Sequence, residues 1–248
     1  MSKLVLVTGA SRGIGAATAL LAARQGYTVV VNYSANSLAA DDVARQIRQA
    51  GGQAMTLRAD VSNEAQVVAM FEKIDAKFGR VTALVNNAGI VDQTARVDAM
   101  TLQRLRRMFE VNVFGSFLCA REAVKRMSTR YGGAGGSIVN MSSAAARLGS
   151  PGQYVDYAAA KGAIDSFTLG LAKEVADEGI RVNAVRPGII DTGIHASGGQ
   201  PDRVRDAASQ LPMRRAGRAE EVAEAIVWLL GDGASYSTGA LLDVAGGR

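Results

Sequence analysis

Two hydrophobic rhythms alternate along the chain. Short, nearly continuous apolar runs at Lys3–Thr8, Tyr27–Asn32, Gln53–Arg58, Val81–Asn86, Ser137–Met141, Ile180–Arg186 and Leu241–Val244 predict strands. Apolar runs without polar alternation suit strands buried on both faces, as in a parallel sheet covered by helices. Between them, helical periodicity predicts helices about Gly13–Gln25, Leu38–Ala50, Glu64–Phe78, Leu102–Arg130, Tyr154–Glu178 and Ala219–Leu230. Strand and helix alternating at this spacing give one α/β domain over residues 1–248, a doubly wound parallel sheet with helices on both faces. Right-handed crossovers then bring all strand C-termini to one edge, where ligands bind.

Two segments break the alternation. Gly132–Ser137 (GGAGGS) reads as a flexible connection. Residues 189–217, after the sixth strand, are long, poorly patterned and rich in Gly, Ser and Arg. Such a stretch beside a strand C-terminus is expected to be a substrate lid.

Composition narrows the chemistry. The single Cys119 excludes an internal disulfide and multi-cysteine metal sites, and the single His195 excludes two-histidine zinc motifs. No metal site is expected. The 28 Lys+Arg against 23 Asp+Glu give a net charge of +5. The densest spots, Arg104–Arg106–Arg107 and Arg214–Arg215–Arg218, are short, lack interleaved aromatics and read as solvated faces. No nucleic-acid partner is expected. Neither a targeting segment nor a membrane span is recognisable, so a cytoplasmic protein is expected.

The first predicted strand runs into Thr8-Gly9-Ala10-Ser11-Arg12-Gly13-Ile14-Gly15, followed by a helix. This is the strand–turn–helix setting of a dinucleotide phosphate loop, although G-x-x-x-G-x-G departs from the usual G-x-G-x-x-G. Gly9, Ser11, Arg12, Gly13, Ile14 and Gly15 are its candidate contacts. An NAD site usually places an acid after the second strand, to hold the ribose 2′-hydroxyl. Here Asn32, Tyr33 and Ser34 stand there instead, with Arg12 in the loop. A cation and small polar groups suit a 2′-phosphate, which favours NADP(H) over NAD(H).

Tyr157 and Lys161 lie i, i+4 on one predicted helix face. A phenol titrates near 10, so a nearby ammonium is expected to lower it for acid/base work. Tyr154 lacks such a partner, since Ala158 occupies its i+4 position. The fifth strand ends in Asn140-Met141-Ser142-Ser143, which puts a hydroxyl on the ligand edge.

Taken in order, Thr8-Gly9-x-x-x-Gly13-x-Gly15, Asp60-Val61, Asn86-Asn87-Ala88-Gly89, Asn112, Ser143, Tyr157-x-x-x-Lys161 and Pro187-Gly188-Ile189-Ile190-Asp191-Thr192 resemble the short-chain dehydrogenase/reductase family over essentially the whole chain. The resemblance implies a Rossmann fold and hydride transfer between a nicotinamide cofactor and a carbonyl or secondary alcohol. It implies Tyr157 as general acid/base and Lys161 as its pKa-lowering neighbour, which also holds the nicotinamide ribose. Ser143 would orient the substrate oxygen, and Asn112 would hold a water that links Lys161 to solvent. Asp60 and Val61 would meet adenine; Asn87, Ala88 and Gly89 would line the ribose side. Pro187, Gly188, Ile190 and Thr192 would meet the nicotinamide amide and open the lid.

Ser143 lies one residue farther from Tyr157 than is usual in the family, with the extra residue expected in Gly149–Asp156. Ser142 is therefore the alternative, and neighbouring strand residues point to opposite faces, so one of the two can serve. The stretch Arg147–Tyr157 and the tail Asp243–Gly247 resemble a subgroup of uncharacterised bacterial oxidoreductases and glucose-type dehydrogenases. The family also implies a homotetramer, through Leu102–Arg130, Tyr154–Glu178 and the segment at Trp228, although Trp228 itself reads as core. Competing readings are a 3-oxoacyl-carrier-protein reductase, docked through Arg126, Arg130 and Arg214–Arg218, and a catalytically silent cofactor-binding regulator. His195 reads as a lid residue that either faces solvent or touches substrate, the former favoured, and Cys119 as a buried apolar one.

Overall fold

The computed structural model describes residues 3–248. Its strands are β1 (Leu4–Val7), β2 (Thr28–Tyr33), β3 (Ala54–Arg58), β4 (Ala83–Asn86), β5 (Gly136–Met141), β6 (Ile180–Pro187) and β7 (Leu241–Val244). They form one parallel sheet in the order β3-β2-β1-β4-β5-β6-β7. The order reverses at β1, whose neighbours are β2 and β4. A crevice opens beyond the C-terminal ends of β1 and β4, the place where doubly wound sheets bind ligands.

The helices are α1 (Gly13–Arg24), α2 (Ser37–Gln49), α3 (Glu64–Phe78), α4 (Leu102–Phe109), α5 (Gly115–Met127), α6 (Ala145–Leu148), α7 (Val155–Glu174), α8 (Ile194–Ser197), α9 (Arg203–Ala208) and α10 (Ala219–Leu230). Alternate strand residues feed two cores. Val5, Val7, Val29, Val31, Val85 and Val139 pack with α1, α2 and α10. Leu4, Leu6, Val30, Leu84, Ile138 and Val182 pack with α3, α5 and α7 on the opposite face. Each such buried side chain contributes about 1.5–3 kcal/mol of transfer free energy. Double-sided burial is why these strands carry unbroken apolar runs.

Three expectations are corrected. The helix expected over Leu102–Arg130 ends at Met127 and is interrupted by a π-turn at Glu110–Phe114. Within that turn the Asn112 amide donates to Met108 O (3.0 Å), and the widened backbone carries Asn112 inward. Trp228 is not core: it is 49% exposed on α10. The helix expected over Tyr154–Glu178 runs Val155–Glu174, and residues 189–217 fold into α8 and α9 and close on themselves. Asp191 N donates to Gly217 O (2.8 Å) and Gly217 N to Ile189 O (2.9 Å). These two bonds close the base of the segment, and those from Tyr154 Oη to Gly198 O (3.4 Å) and from Arg203 Nη1 to Gln153 Oε1 (2.9 Å) tie it to the rest of the chain.

Candidate active site

The turn from β1 into α1 is held open from behind. Gly9 and Gly13 take positive φ values of 61° and 55°, a conformation that favours glycine. A Cβ on Gly15 would come within 2.5 Å of Asn87 Nδ2 and 2.6 Å of Gly9 O. Asn87 Nδ2 donates to Thr8 O (2.8 Å) and Gly9 O (3.1 Å), while Thr8 Oγ1 accepts from Asn87 N and Ala88 N (3.0 Å each). These bonds pin the loop to the end of β4. Thr8 was missed as a functional residue, because it reads from sequence as the last residue of a strand.

Helix α1 begins without a side-chain cap and without an acid in its first turn. By contrast, Asn36 caps α2, Asn63 caps α3, and the Glu221 carboxylate accepts from Arg218 N at the start of α10. The bare N-terminus of α1 faces the crevice with its dipole and free N–H groups. Beside it, Arg12 is exposed and forms no ion pair among the described residues.

Asn32 has a different place from the one expected. It is buried, accepts from Gly9 N (3.2 Å) and donates to Leu57 O (3.3 Å) and Ala59 O (3.0 Å). It supports the loop from beneath and has no polar atom left for a ligand. Tyr33 is half-buried and Ser34 exposed at the crevice rim, where Arg58 Nε donates to Ser34 O (3.1 Å). The Asp60 carboxylate accepts from Ser62 N (3.0 Å) and Ser62 Oγ (2.7 Å), and Val61 is buried against Gly115.

A cleft on the same edge is lined by Ile14, Asn87, Gly89, Ser143, Tyr157, Lys161, Pro187, Gly188, Ile190 and Thr192 together. Ser143 and Tyr157 face each other there despite the extra residue between them. Between them the chain makes left-handed turns at Gly149, Ser150 and Gly152. Ser142 also borders the cleft, but its buried hydroxyl donates to Lys161 O (3.2 Å). Thr192 lies across from Gly13, where a Cβ would sit 3.3 Å from its methyl group.

Burial pushes the Tyr157 phenol up to about 12, and its hydrogen bond with Ser143 opposes that rise. Ser143, rather than Lys161, is the group that lowers the phenol here. Lys161 Nζ sits 5.5 Å from the centroid of the Tyr157 ring and donates to Met141 O (2.6 Å). Burial pushes its own pKa down to about 8, with Asp165 pulling the other way. Two buried groups of opposite type are each driven towards their neutral forms.

Asn112 lies behind this pair. Its Oδ1 accepts from Ile90 N (3.0 Å) and its Nδ2 donates to Ile90 O (3.0 Å). A Cβ on Gly89 would meet Asn112 Oδ1 at 2.7 Å and Lys161 Nζ at 3.6 Å. The carboxamide is therefore spent on the Ile90 backbone and fixes the strip of chain that passes over Lys161.

Sequence reasoning also missed the pair that anchors the start of α7. Arg104 is not simply a solvated charge. Its Nε and Nη2 donate to the two Asp156 carboxylate oxygens at 2.8 and 3.2 Å, with side-chain exposures of 10% and 0%. Asp156 directly precedes Tyr157. His195 is not solvent-facing either: it is half-buried on the cleft, its Nε2 lies 2.9 Å from Ile190 O, and burial lowers its pKa. Cys119 is fully buried, and its thiol is pushed up to about 12.

The family profile described as enoyl-(acyl carrier protein) reductase matches residues 9–248. An uncharacterized oxidoreductase, YgfF, of Escherichia coli (strain K12) is 60% identical over 99% of this chain and 99% of its own length. A cis-4-hydroxycyclohexanecarboxylate dehydrogenase of Sinomonas cyclohexanicum is 43% identical over 99% of this chain and 96% of its own. A solved structure of a doubly substituted short-chain dehydrogenase/reductase of Serratia marcescens superposes with a TM-score of 0.90 at 33% identity, covering 99% of this chain and 97% of that one. With the sheet order, the glycine cradle and the Ser143–Tyr157–Lys161 cleft, these matches place the chain in the short-chain dehydrogenase/reductase family of NAD(P)(H)-dependent oxidoreductases acting on CH–OH and C=O groups.

Proposed function

We propose that the protein is an NADP(H)-dependent carbonyl reductase or alcohol dehydrogenase in which Tyr157 is the general acid/base. The observation that carries this reading is the convergence of Ser143 and Tyr157 on one cleft beside Lys161. The cofactor, when bound, supplies or accepts the hydride. The residues do the rest. The Ser143 hydroxyl orients the substrate oxygen and stabilises charge as it develops. Tyr157, protonated at neutral pH, donates its proton to that oxygen during reduction and takes it back during oxidation. Lys161 stabilises the phenolate left behind, and Pro187, Gly188, Ile190 and Thr192 wall the nicotinamide side. The experiment that tests this reading is a panel of carbonyls and alcohols offered with both cofactors, followed by nicotinamide absorbance.

The cradle at Gly9, Gly13 and Gly15 and the uncapped α1 fit a pyrophosphate, because a side chain or a capping acid there would fill or neutralise the space. The free Arg12 and the absence of an acid at Asn32–Ser34 favour a 2′-phosphate. Arg12→Ala is expected to weaken NADPH by about tenfold or more and NADH by less than about twofold. Equal losses, measured as cofactor dissociation constants, would remove this preference.

Among the described residues no group of three His, Cys, Asp or Glu side chains is placed to hold a metal ion. EDTA is expected to leave turnover unchanged. Inactivation that added zinc or magnesium reverses would contradict the proton-transfer scheme.

Among the described residues the carrier-protein reading keeps only Arg214 and Arg218 as exposed cations without an ion pair, because the other basic residues expected to dock are paired. Arg126 pairs with Asp75 (2.7 Å) and Glu122 (3.0 Å), Arg130 with Glu178 (3.3 Å) and Arg215 with Glu221 (2.6 Å). The intact set Asn112, Ser143, Tyr157 and Lys161 argues against a silent regulator. Exposed Phe114, Phe117 and Leu169, on the elements expected to pair, and the exposed Trp228 support a homotetramer. Among the described residues no helix is long and apolar enough to cross a membrane, and a cytoplasmic place suits this chemistry.

A further inference from the structure

The lid side of the cleft carries two cations that the proton-transfer scheme does not use. Arg203, on α9, and Arg248 line the same cleft as Ser143 and Tyr157. Neither forms an ion pair among the described residues. Most nearby charges are already matched: Asp202 and Asp206 pair with Arg205, and Asp243 pairs with Arg147, while the exposed Asp191, whose charge also reaches His195, pairs with neither arginine. Arg147 also takes the Arg248 main-chain oxygen (3.1 Å).

Arg203 is held in place by neutral groups. Its Nη1 donates to Gln153 Oε1 (2.9 Å) and Gln200 Oε1, and its guanidinium lies 5.4 Å from the centroid of the Tyr154 ring. Its Nε and Nη2, the edge that grips an anion with two parallel bonds, have no partner among the described residues. Arg248 feels this charge: its pKa is lowered by burial and then by Arg203, and Arg203 also lowers the half-buried His195. Arg203 is half-buried and Arg248 exposed at the mouth of the cleft, and neither has an ion-pair partner among the described residues. The remaining walls on this side, Val91, Leu148, Tyr154 and Ile194, are mostly apolar.

We propose that the substrate is an organic carboxylate: an apolar carbonyl or secondary-alcohol skeleton whose anionic group is held by Arg203 and Arg248 while its oxygen meets Ser143 and Tyr157. Apolar walls suit a hydrocarbon skeleton better than a sugar, and the guanidinium fork suits a planar carboxylate. The proposal rests on the oxidoreductase reading for the reacting end of the substrate but not for its anchor.

The test is calorimetric titration of the full chain, saturated with NADP⁺, with two unreactive probes: cyclohexanecarboxylate and its neutral isostere cyclohexanecarboxamide. The carboxylate is expected to bind at least about tenfold more tightly than the amide. Arg203→Gln and Arg248→Gln are each expected to weaken it by about tenfold, with amide binding unchanged. Arg203→Lys, which keeps the charge but loses the fork, is expected to retain a preference for the anion. Equal binding of the two probes, no heat from the carboxylate, or carboxylate binding indifferent to both glutamine variants would overturn the proposal. Intact carboxylate binding in a protein that transfers no hydride to any carbonyl would instead overturn the oxidoreductase reading and leave the anchor standing.

Discussion

Tyr157→Phe is expected to lower kcat by about 10²–10⁴-fold while NADPH affinity stays within about twofold. The change deletes one hydroxyl and keeps the ring, so the contact between ring and Lys161, at 5.5 Å, survives. What disappears is the proton donor beside Ser143. Steady-state turnover together with direct NADPH titration separates the two effects, and turnover preserved to within tenfold would remove Tyr157 from the mechanism. A pH profile carries the same argument further. With its phenol at about 12, Tyr157 is protonated throughout the neutral range and is poised to donate. Lys161, near 8, keeps its ammonium below that pH and loses it above. Reduction leaves a phenolate that the charged lysine stabilises alongside the Ser143 hydrogen bond, so kcat/KM for reduction is expected to fall as pH rises through about 8. A profile flat to pH 10 would show that Lys161 does not act through its charge.

The path from sequence to site was legible where a local pattern carried it. Strands packed on both faces must be apolar throughout, so the runs at Leu4–Val7 and Thr28–Tyr33 announced themselves to within a residue or two. Ser143, Tyr157 and Lys161, which the structure brings to one cleft, stand out in sequence because each answers a local demand of backbone or chemistry. Pairings across long separations were hidden. Arg104 and Asp156 are 52 residues apart, and each looks like an ordinary surface charge on its own helix. The π-turn at Glu110–Phe114 leaves no periodic signature, because it depends on the Asn112 side chain reaching both Met108 O and the Ile90 backbone. The pKa directions were illegible for a related reason. Spacing i, i+4 puts a tyrosine beside a lysine, but it does not reveal that Met141 O holds the ammonium and that burial dominates both groups.

Asp156→Ala is expected to destabilise the fold by about 3–5 kcal/mol, because it leaves the Arg104 guanidinium buried without its carboxylate. The pair is bidentate, at 2.8 and 3.2 Å, and the Asp156 side chain is 0% exposed, so water cannot take the place of the lost partner. At roughly 2–4 °C per kcal/mol for a chain of this size, the midpoint of thermal unfolding is expected to fall by about 6–20 °C. The asymmetry of buried ion pairs supplies the control. Removing both charges together costs far less than removing one, since the larger penalty is an uncompensated ion. Arg104→Met combined with Asp156→Leu is therefore expected to recover most of the loss. If instead the double variant is as unstable as Asp156→Ala alone, lost packing rather than the orphaned charge explains the fall. The same cycle reaches function, because Asp156 fixes the first turn of α7 against α4 and Tyr157 is the next residue. A double variant that regains stability but not turnover would show that the ion pair also sets the direction of the catalytic phenol.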